Sequence, residues 1–234
     1  MELDARKLLE IEGFFCQAEL TRGLVHEINN SLTGILGFAQ LLLNSPHDRD
    51  EENRDLKAIE EEVLRSRKMI QSFMDLFQQY QDVKGPLEMN SLLGHLLFSL
   101  QNQWQFLHLD LLKEFSPEDL YFQGSLPEWR ILLIGLLLEA VHAAGKKGRL
   151  KIITSKEGAG KTFQIVIEGL ETGVQKDMAA RPFISLQSSR KKVVDLGIYL
   201  AQRAAQQSGG ALKVEHPPQG GFTISISLPM VAGR

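Results

Sequence analysis

One short stretch of the sequence places a histidine, a carboxylate and two amides within five residues. It reads LVHEINNSLT over residues 24–33, and its polar groups include His26, Glu27, Asn29 and Asn30. A neutral imidazole is a competent nucleophile toward phosphorus, and a neighbouring carboxylate can orient it or accept its proton. An amide one helical turn away can position a water molecule or a phosphoryl oxygen. These residue types favour phosphoryl chemistry centred on His26.

A helical wheel places His26 on a polar strip. At about 100° per residue, the residues within roughly 60° of His26 are Arg22, Asn29, Asn30, Thr33, Gly37 and Gln40. Glycines such as Gly34 and Gly37 each cost about 1 kcal/mol against alanine inside a helix. A strip that only faces water would not favour them, so we expect this one to admit a second protein surface. The alternative interpretation is an ordinary solvated histidine.

Two long helices are predicted to position this strip. The first runs through residues 24–44 and stops before Pro46, because proline disfavours helix in the preceding residue. The second runs from about Glu51 to Asp82, with apolar residues at helical spacing. Such a hairpin cannot bury its apolar stripe alone, and dimerisation into a four-helix bundle is the usual solution. Residues 1–83 are therefore predicted to form an all-α hairpin that makes a homodimer.

After Lys84-Gly85-Pro86 the pattern changes to mixed helices and strands. Helices are predicted near residues 90–104, 129–144 and 191–208, and strands near 109–115, 150–155, 162–169, 211–215 and 222–229. The pair Gly209-Gly210 fits the end of the last helix. This mixture predicts a two-layer α/β sandwich over residues 87–234.

Composition excludes several classes of protein. Hydrophobic residues make up 43% and charged residues 24%, which is typical of a folded core. The net charge of −3 argues against binding to nucleic acid or to an anionic membrane surface. The longest apolar run, residues 131–138, is far shorter than the roughly 20 residues that span a bilayer. The single cysteine, Cys16, and a start without signal-peptide pattern suit a soluble cytoplasmic protein.

The segment LVHEINNSLTGILGFAQLLL resembles the phospho-acceptor motif of sensor histidine kinases, usually HE, a hydrophobic residue, any residue, then NPL. The order of a helical hairpin before an α/β half is similar too. The resemblance implies that His26 is phosphorylated and that Glu27 assists the attack. It also implies that Asn30 supports dephosphorylation of phospho-receivers. Ser31 stands where the family usually has proline, which implies a straighter helix with the chemistry retained.

By the same resemblance the second half has the histidine-kinase ATPase fold, but its three nucleotide motifs are altered. Gly135 and Glu139 stand where asparagines hold magnesium and phosphates, although a glutamate could still bind magnesium. Residues 169–173 lack the aspartate that reads adenine, and residues 193–197 retain one glycine of the phosphate loop. Three separate changes predict that this half binds no ATP by the usual mode and that the chain holds no cofactor or metal.

These observations predict a histidine phosphotransferase of a two-component phosphorelay. It would pass a phosphoryl group between the aspartates of response-regulator receiver domains through a phosphohistidine at His26. The receiver would supply both the aspartate and the magnesium ion. Two alternatives stay open. One is an active sensor kinase with an atypical ATP site, and the other is a non-catalytic receiver-binding adaptor or phosphatase, in which Asn30 would orient a water molecule.

Overall fold

The computed structural model describes residues 5–44, 49–77, 84–106, 109–144, 148–158, 162–170, 185–187, 193–215 and 221–233. The chain divides into two compact units. The smaller unit comprises Gln17–Gln78 and Ser99–Phe106, and the larger unit comprises Met1–Cys16, Gln79–Phe98 and Leu107–Arg234. The functional limits at residues 1–83 and 87–234 stay a prediction.

The first helix, α1, spans Ala5–Asn44. It begins well before the predicted start near residue 24, so the reactive stretch lies in the middle of a long helix. α1 also continues without interruption through Ser31, as the absence of proline there predicts. Its earliest turns belong to the larger unit, and the turns around residue 26 belong to the smaller one.

The second helix, α2, spans Arg49–Leu76. It stops before the predicted end at Asp82, because Phe77 forms a turn in which its N–H donates to the Met74 carbonyl at 3.2 Å. Such a tight turn gives a hydrogen-bond donor to a carbonyl group that would otherwise have no partner at the end of the helix. Residues 78–83 lie outside the described part of the chain.

A five-stranded sheet forms one layer of the larger unit. Its strands are β2 (Asp110–Glu114), β4 (Arg149–Glu157), β5 (Thr162–Leu170), β9 (Phe222–Pro229) and β8 (Ala211–Glu215), in that order across the sheet. β2 and β4 run parallel, and the remaining pairs are antiparallel. Along β9 the side chains alternate, and Phe222, Ile224, Ile226 and Leu228 are buried. This period of two is the signature of a strand with one covered face.

Two helices belong entirely to the unit of this sheet, α4 (Leu126–Ala144) and α5 (Leu196–Gln207). A third helix, α3 (Met89–Phe106), belongs to it only as far as Phe98. α4 packs against β5 and α5. The Phe122 ring lies 4.9 Å from Trp129 of α4 and 5.9 Å from Phe163 of β5, and all three side chains are fully buried. The second half is therefore the predicted α/β sandwich, with its core between the helices and the sheet.

Two short strand pairs differ from the sequence prediction. Lys84–Glu88 is strand β1, not a linker, and it pairs with β3 (Tyr121–Ser125). Pro86 is tolerated because, in the described part of the chain, β1 pairs with β3 alone, so no second ladder there needs the missing N–H. Strand β7 (Val193–Asp195) pairs with β6 (Ser185–Gln187).

The last helix is predicted to begin near Lys191, but α5 begins at Leu196. The β-branched pair Val193-Val194 favours the strand that precedes it, and Lys191 lies outside the described residues. The predicted end is confirmed, since Gly209 has a φ of 77° and the Gly210 N–H donates to the Ala205 carbonyl at 2.8 Å. Among the described residues, none of the helices combines the length and apolar character needed to cross a bilayer.

Candidate functional site

His26 and Asn30 are in contact on the exposed side of α1. Asn30 Nδ2 lies 3.2 Å from His26 Nδ1, and both residues are exposed. The i,i+4 spacing puts the two side chains one above the other on the same helix face. A reacting group brought by a partner can therefore reach the imidazole without any opening of the hairpin.

Glu27 lies on a different face of α1. The residue is 8% exposed, and its Oε2 atom accepts a hydrogen bond from Arg65 Nη2 of α2 at 3.4 Å. Arg65 Nη1 also lies 3.7 Å from Glu62 Oε1. The carboxylate next to the histidine in sequence is thus directed into an ion pair that joins the two helices of the hairpin. Sequence spacing could not have identified Arg65, because it lies 38 residues away from its partner.

Around His26, α1 presents three distinct faces. At about 100° per residue, the exposed apolar residues that lie roughly 100° to one side are Val25, Leu32, Leu36 and Leu43. On the other side of His26, roughly 100–160° around the helix, lies a set of buried residues: Leu20, Leu24, Glu27 and Ser31. The buried face includes the contact with α2, and the polar strip with His26 separates it from the apolar one.

α2 also has an exposed apolar stripe. It consists of Leu56, Val63, Ile70 and Met74, which repeat at intervals of seven, seven and four residues. This is the spacing of a helix that packs along another helix. The stripe lies roughly 100–140° around the helix from the buried Met69. Both helices of the hairpin thus present an apolar face that the described residues of one chain leave exposed.

The glycines of the polar strip face open space. A Cβ atom built at Gly34 or at Gly37 would have nothing within 4 Å among the described residues. Packing among the described residues therefore does not require glycine at either position. The two glycines leave the surface beside the histidine without projecting side chains.

Residues 16–79 match the family model described as His Kinase A (phospho-acceptor) domain. The match contains His26, Glu27 and Asn30, together with α2. This segment is a histidine-kinase phospho-acceptor domain. The roles of the three residues are not tested by the match and stay predictions.

Relatives and solved structures extend the likeness beyond this phospho-acceptor domain. Sensor histidine kinase ZraS of Salmonella typhimurium is 23% identical over 230 residues, which is 98% of this chain and 49% of that protein. The structure of the catalytic domain of histidine kinase ThkA superposes on 63% of this chain and on 96% of the ThkA chain, with a TM-score of 0.50 and 16% identity. These likenesses support a histidine kinase core, in which a fold of the ATPase type follows the segment that the phospho-acceptor model matches.

A longer ThkA structure, in complex with response regulator protein TrrA, covers 97% of this chain and 64% of that one, with a TM-score of 0.50 and 18% identity. At this level of identity the likeness concerns the fold alone. The chain spans about half the length of the ZraS relative.

α4 carries Gly135 and Glu139, which the sequence resemblance aligns with asparagines, and α1 covers Gly135. A Cβ atom built at Gly135 would lie 2.7 Å from Glu12 Oε1 and 3.8 Å from Cys16 Sγ. One built at Gly13 would lie 3.4 Å from the Ile131 side chain. Glu12 and Cys16 are both buried. The early turns of α1 therefore occupy the space beside Gly135.

In residues 193–197, which the resemblance aligns with the phosphate loop, no loop separates the strand from the helix. Strand β7 ends at Asp195 and α5 begins at Leu196 without an intervening residue, and Gly197 is buried in the first turn. Of the altered adenine segment, residues 169 and 170 belong to β5, and residues 171–173 lie outside the described part of the chain.

Proposed function

We propose that the chain is a histidine phosphotransferase of a two-component phosphorelay. The observation that carries the proposal is an exposed His26, in contact with Asn30, on a phospho-acceptor domain. An imidazole in this position meets the first requirement of phosphoryl exchange with a protein partner, because a receiver can bring its aspartyl phosphate to it.

The proposed transfer is an in-line displacement. His26 attacks the phosphorus of a phospho-aspartate, the new bond is N–P, and the bond from phosphorus to the aspartate oxygen breaks. The aspartate leaves as a carboxylate with the electron pair. The reverse reaction on a second receiver completes the relay. We expect the receiver to supply the aspartate and the magnesium ion, and the chain itself to need no cofactor.

Independence from ATP is supported by the surroundings of Gly135. An asparagine there would have to displace the Glu12 carboxylate, which lies 2.7 Å from the position of its Cβ atom. The direct passage from β7 into α5 leaves little backbone to cradle phosphates.

We further propose that the functional unit is a homodimer. The apolar stripes on α1 and α2, which include Leu32, Leu36, Val63 and Ile70, are exposed in a single chain. A second copy would cover them in a four-helix bundle. The polar strip would stay accessible, because it lies to the side of the α1 stripe and not within it.

Response-regulator receivers are the partners that this arrangement suits. A receiver must approach the imidazole closely, and the open space at Gly34 and Gly37 gives it room beside His26. Histidine kinase ThkA forms a complex with response regulator protein TrrA, and the same class of partner is proposed for this chain. A cytoplasmic location is part of the proposal and follows from these partners.

A discharge experiment tests the proposed chemistry. Purified receivers carrying labelled phosphoryl groups are mixed with the wild-type chain, with His26→Ala and with Asn30→Ala. We expect acid-labile, base-stable label on wild type and none on His26→Ala. Receivers that lose label only to water would identify a phosphatase. Receivers that bind but keep their label would identify an adaptor, and either result would refute phosphotransfer.

A second candidate is an ATP-dependent sensor kinase. The observation in its favour is that a relative named as a sensor kinase aligns over 98% of this chain. Glu139 also offers a carboxylate that could serve as a magnesium ligand. Titration of the chain with magnesium-ATP separates the two candidates. Saturable binding of ATP in the absence of receivers would support the kinase.

A further inference from the structure

The first turns of α1 have a buried face of their own. Leu8, Glu12 and Cys16 are 6%, 7% and 4% exposed. Their spacing of four residues places them one above the other on the helix. These turns, residues 5–16, belong to the same compact unit as α4, and we call them the docking segment.

The docking segment meets α4 at two glycines. A Cβ atom added to Gly13 of the segment would lie 3.4 Å from the side chain of Ile131. One added to Gly135 of α4 would lie 2.7 Å from Glu12 Oε1 and 3.8 Å from Cys16 Sγ. The distance between two packed helices depends on the side chains at their contact. Glycine at position 135 therefore permits an approach that a side chain there would oppose.

We propose that Gly135 is a docking notch, in which the α/β unit binds the first turns of its own α1 on the part of α4 that the sequence resemblance aligns with nucleotide-binding asparagines. The occupant is a segment of the same chain. The glycine then serves the fit of two helices, and the unit has a role for which it needs no nucleotide. This inference goes beyond the proposed phosphotransfer and does not depend on it.

The orientation of the docking segment indicates that the fit is specific. Phe14 and Phe15 are 72% and 41% exposed, whereas Glu12 is buried. Burial of apolar surface alone would favour the opposite orientation, because a buried carboxylate is costly unless it is hydrogen-bonded. Glu12 Oε1 accepts a hydrogen bond from Cys16 Sγ at 3.7 Å, and the same oxygen is the atom that a side chain at position 135 would meet. One added methyl group should therefore disturb the contact.

The rate at which a maleimide reagent labels Cys16 measures the docking. Cys16 is the single cysteine of the chain and is buried, so it reacts when the segment opens, and the rate follows the fraction of open molecules. We expect Gly135→Ala in the full chain to be labelled about tenfold faster than wild type, since overpacking destabilises the contact. A wild-type rate in this variant would overturn the proposal.

Gly94→Ala is the matched control. Gly94 is a glycine of α3 in the same unit, and a Cβ atom added there has nothing within 4 Å among the described residues. We expect its labelling rate to differ from wild type by less than about twofold. Equal acceleration in Gly94→Ala and Gly135→Ala would overturn the proposal, because the effect would then not be local to the notch.

A second substitution distinguishes loss of this contact from unfolding. Glu12→Ala removes the carboxylate that the new Cβ atom would meet. The variant that combines it with Gly135→Ala should therefore be labelled more slowly than Gly135→Ala alone, at about the rate of Glu12→Ala. Effects that simply add would overturn the proposal, as would a double variant that is labelled as fast as the chain in urea.

Magnesium-ATP tests whether the docking segment takes the place of a nucleotide. We expect an excess of magnesium-ATP to leave the labelling rate of wild type unchanged. Faster labelling with the nucleotide would overturn the proposal, because the segment would then compete with a ligand that the unit still binds. The labelling needs no receiver, so its outcome is separate from that of the phosphotransfer experiment.

Discussion

At the scale of single residues, Arg65 determines where the charge beside His26 lies. Glu27 is 8% exposed, and a buried carboxylate is costly unless it is paired. Arg65 supplies the pair from the opposite helix at 3.4 Å, and its own side chain is 54% exposed. The pair therefore joins α1 to α2 close to the site, and solvent weakens it on the arginine side.

Replacing Arg65 by alanine tests this interpretation. The substitution leaves the Glu27 carboxylate without its arginine, so we expect the free energy of unfolding to fall by about 1 kcal/mol. Arg67→Ala, an exposed arginine on the same helix, should change it by less than about 0.5 kcal/mol. Urea unfolding measures both, and equal losses in the two variants would show that the pair has no structural role.

The residue scale also shows what the sequence could and could not predict about the site. The contact between His26 and Asn30 follows from the regular rise of one helix, so the spacing alone predicts it. The pairing of Glu27 with Arg65 depends on how two helices face each other. No local pattern encodes that, and the sequence therefore suggests that Glu27 would serve the histidine.

At the scale of secondary-structure elements, Glu88 joins three of them. Its carboxylate accepts N–H groups from Asn90 at 3.0 Å and Ser91 at 2.6 Å, which begin α3, and from Leu120 at 3.0 Å, next to β3. Burial by itself raises the pKa of Glu88, but these hydrogen bonds outweigh it and leave the pKa below its usual value. The residue is therefore the N-cap of α3 and a link between strands.

This cap predicts a pH-dependent contribution to stability. Since the pKa of Glu88 is lower in the folded chain, its stabilising effect is complete above the unfolded pKa and is lost as pH falls through the folded one. Glu88→Gln should reduce the free energy of unfolding by about 1 kcal/mol at neutral pH, and the difference from wild type should disappear in acid. Urea titrations at several pH values measure this, and a difference that is constant with pH would contradict it.

The elements differ in how well the sequence predicts them. β8 and β9 lie at the residues expected, because their turns and alternation are local signals. β1 and β7 are short, and each exists through pairing: β1 with the distant β3, and β7 with the preceding β6. Tertiary pairing of this kind overrides local propensity, which explains why the sequence predicts a linker and a helix start there.

At the scale of the whole molecule, the exposed apolar stripes favour the proposed association of two copies. Leu32 is 53% exposed, Leu36 57% and Leu56 55%, and they belong to stripes that repeat along both helices of the hairpin. Exposed apolar surface that repeats along helices in this way is typical of protein interfaces. The proposed homodimer would cover the stripes and place the two His26 residues on separate surfaces.

Charge placed in the α1 stripe tests the dimer. We expect Leu32→Glu combined with Leu36→Glu to halve the molar mass in solution, because buried unpaired carboxylates oppose association. Leu112→Glu, at an exposed leucine of β2, serves as the control and should leave the mass unchanged. Light scattering coupled to size exclusion gives the masses. A wild-type chain that is already monomeric would refute the proposed bundle.

The most direct test of the proposed function asks where the phosphoryl group comes from. Label is offered to the chain either as ATP with magnesium or on the aspartate of a receiver, with His26→Ala in parallel. The proposed function predicts label on wild type from the receiver, none from ATP, and none on His26→Ala from either source. Label that reaches His26 from ATP alone would contradict it and identify an active kinase.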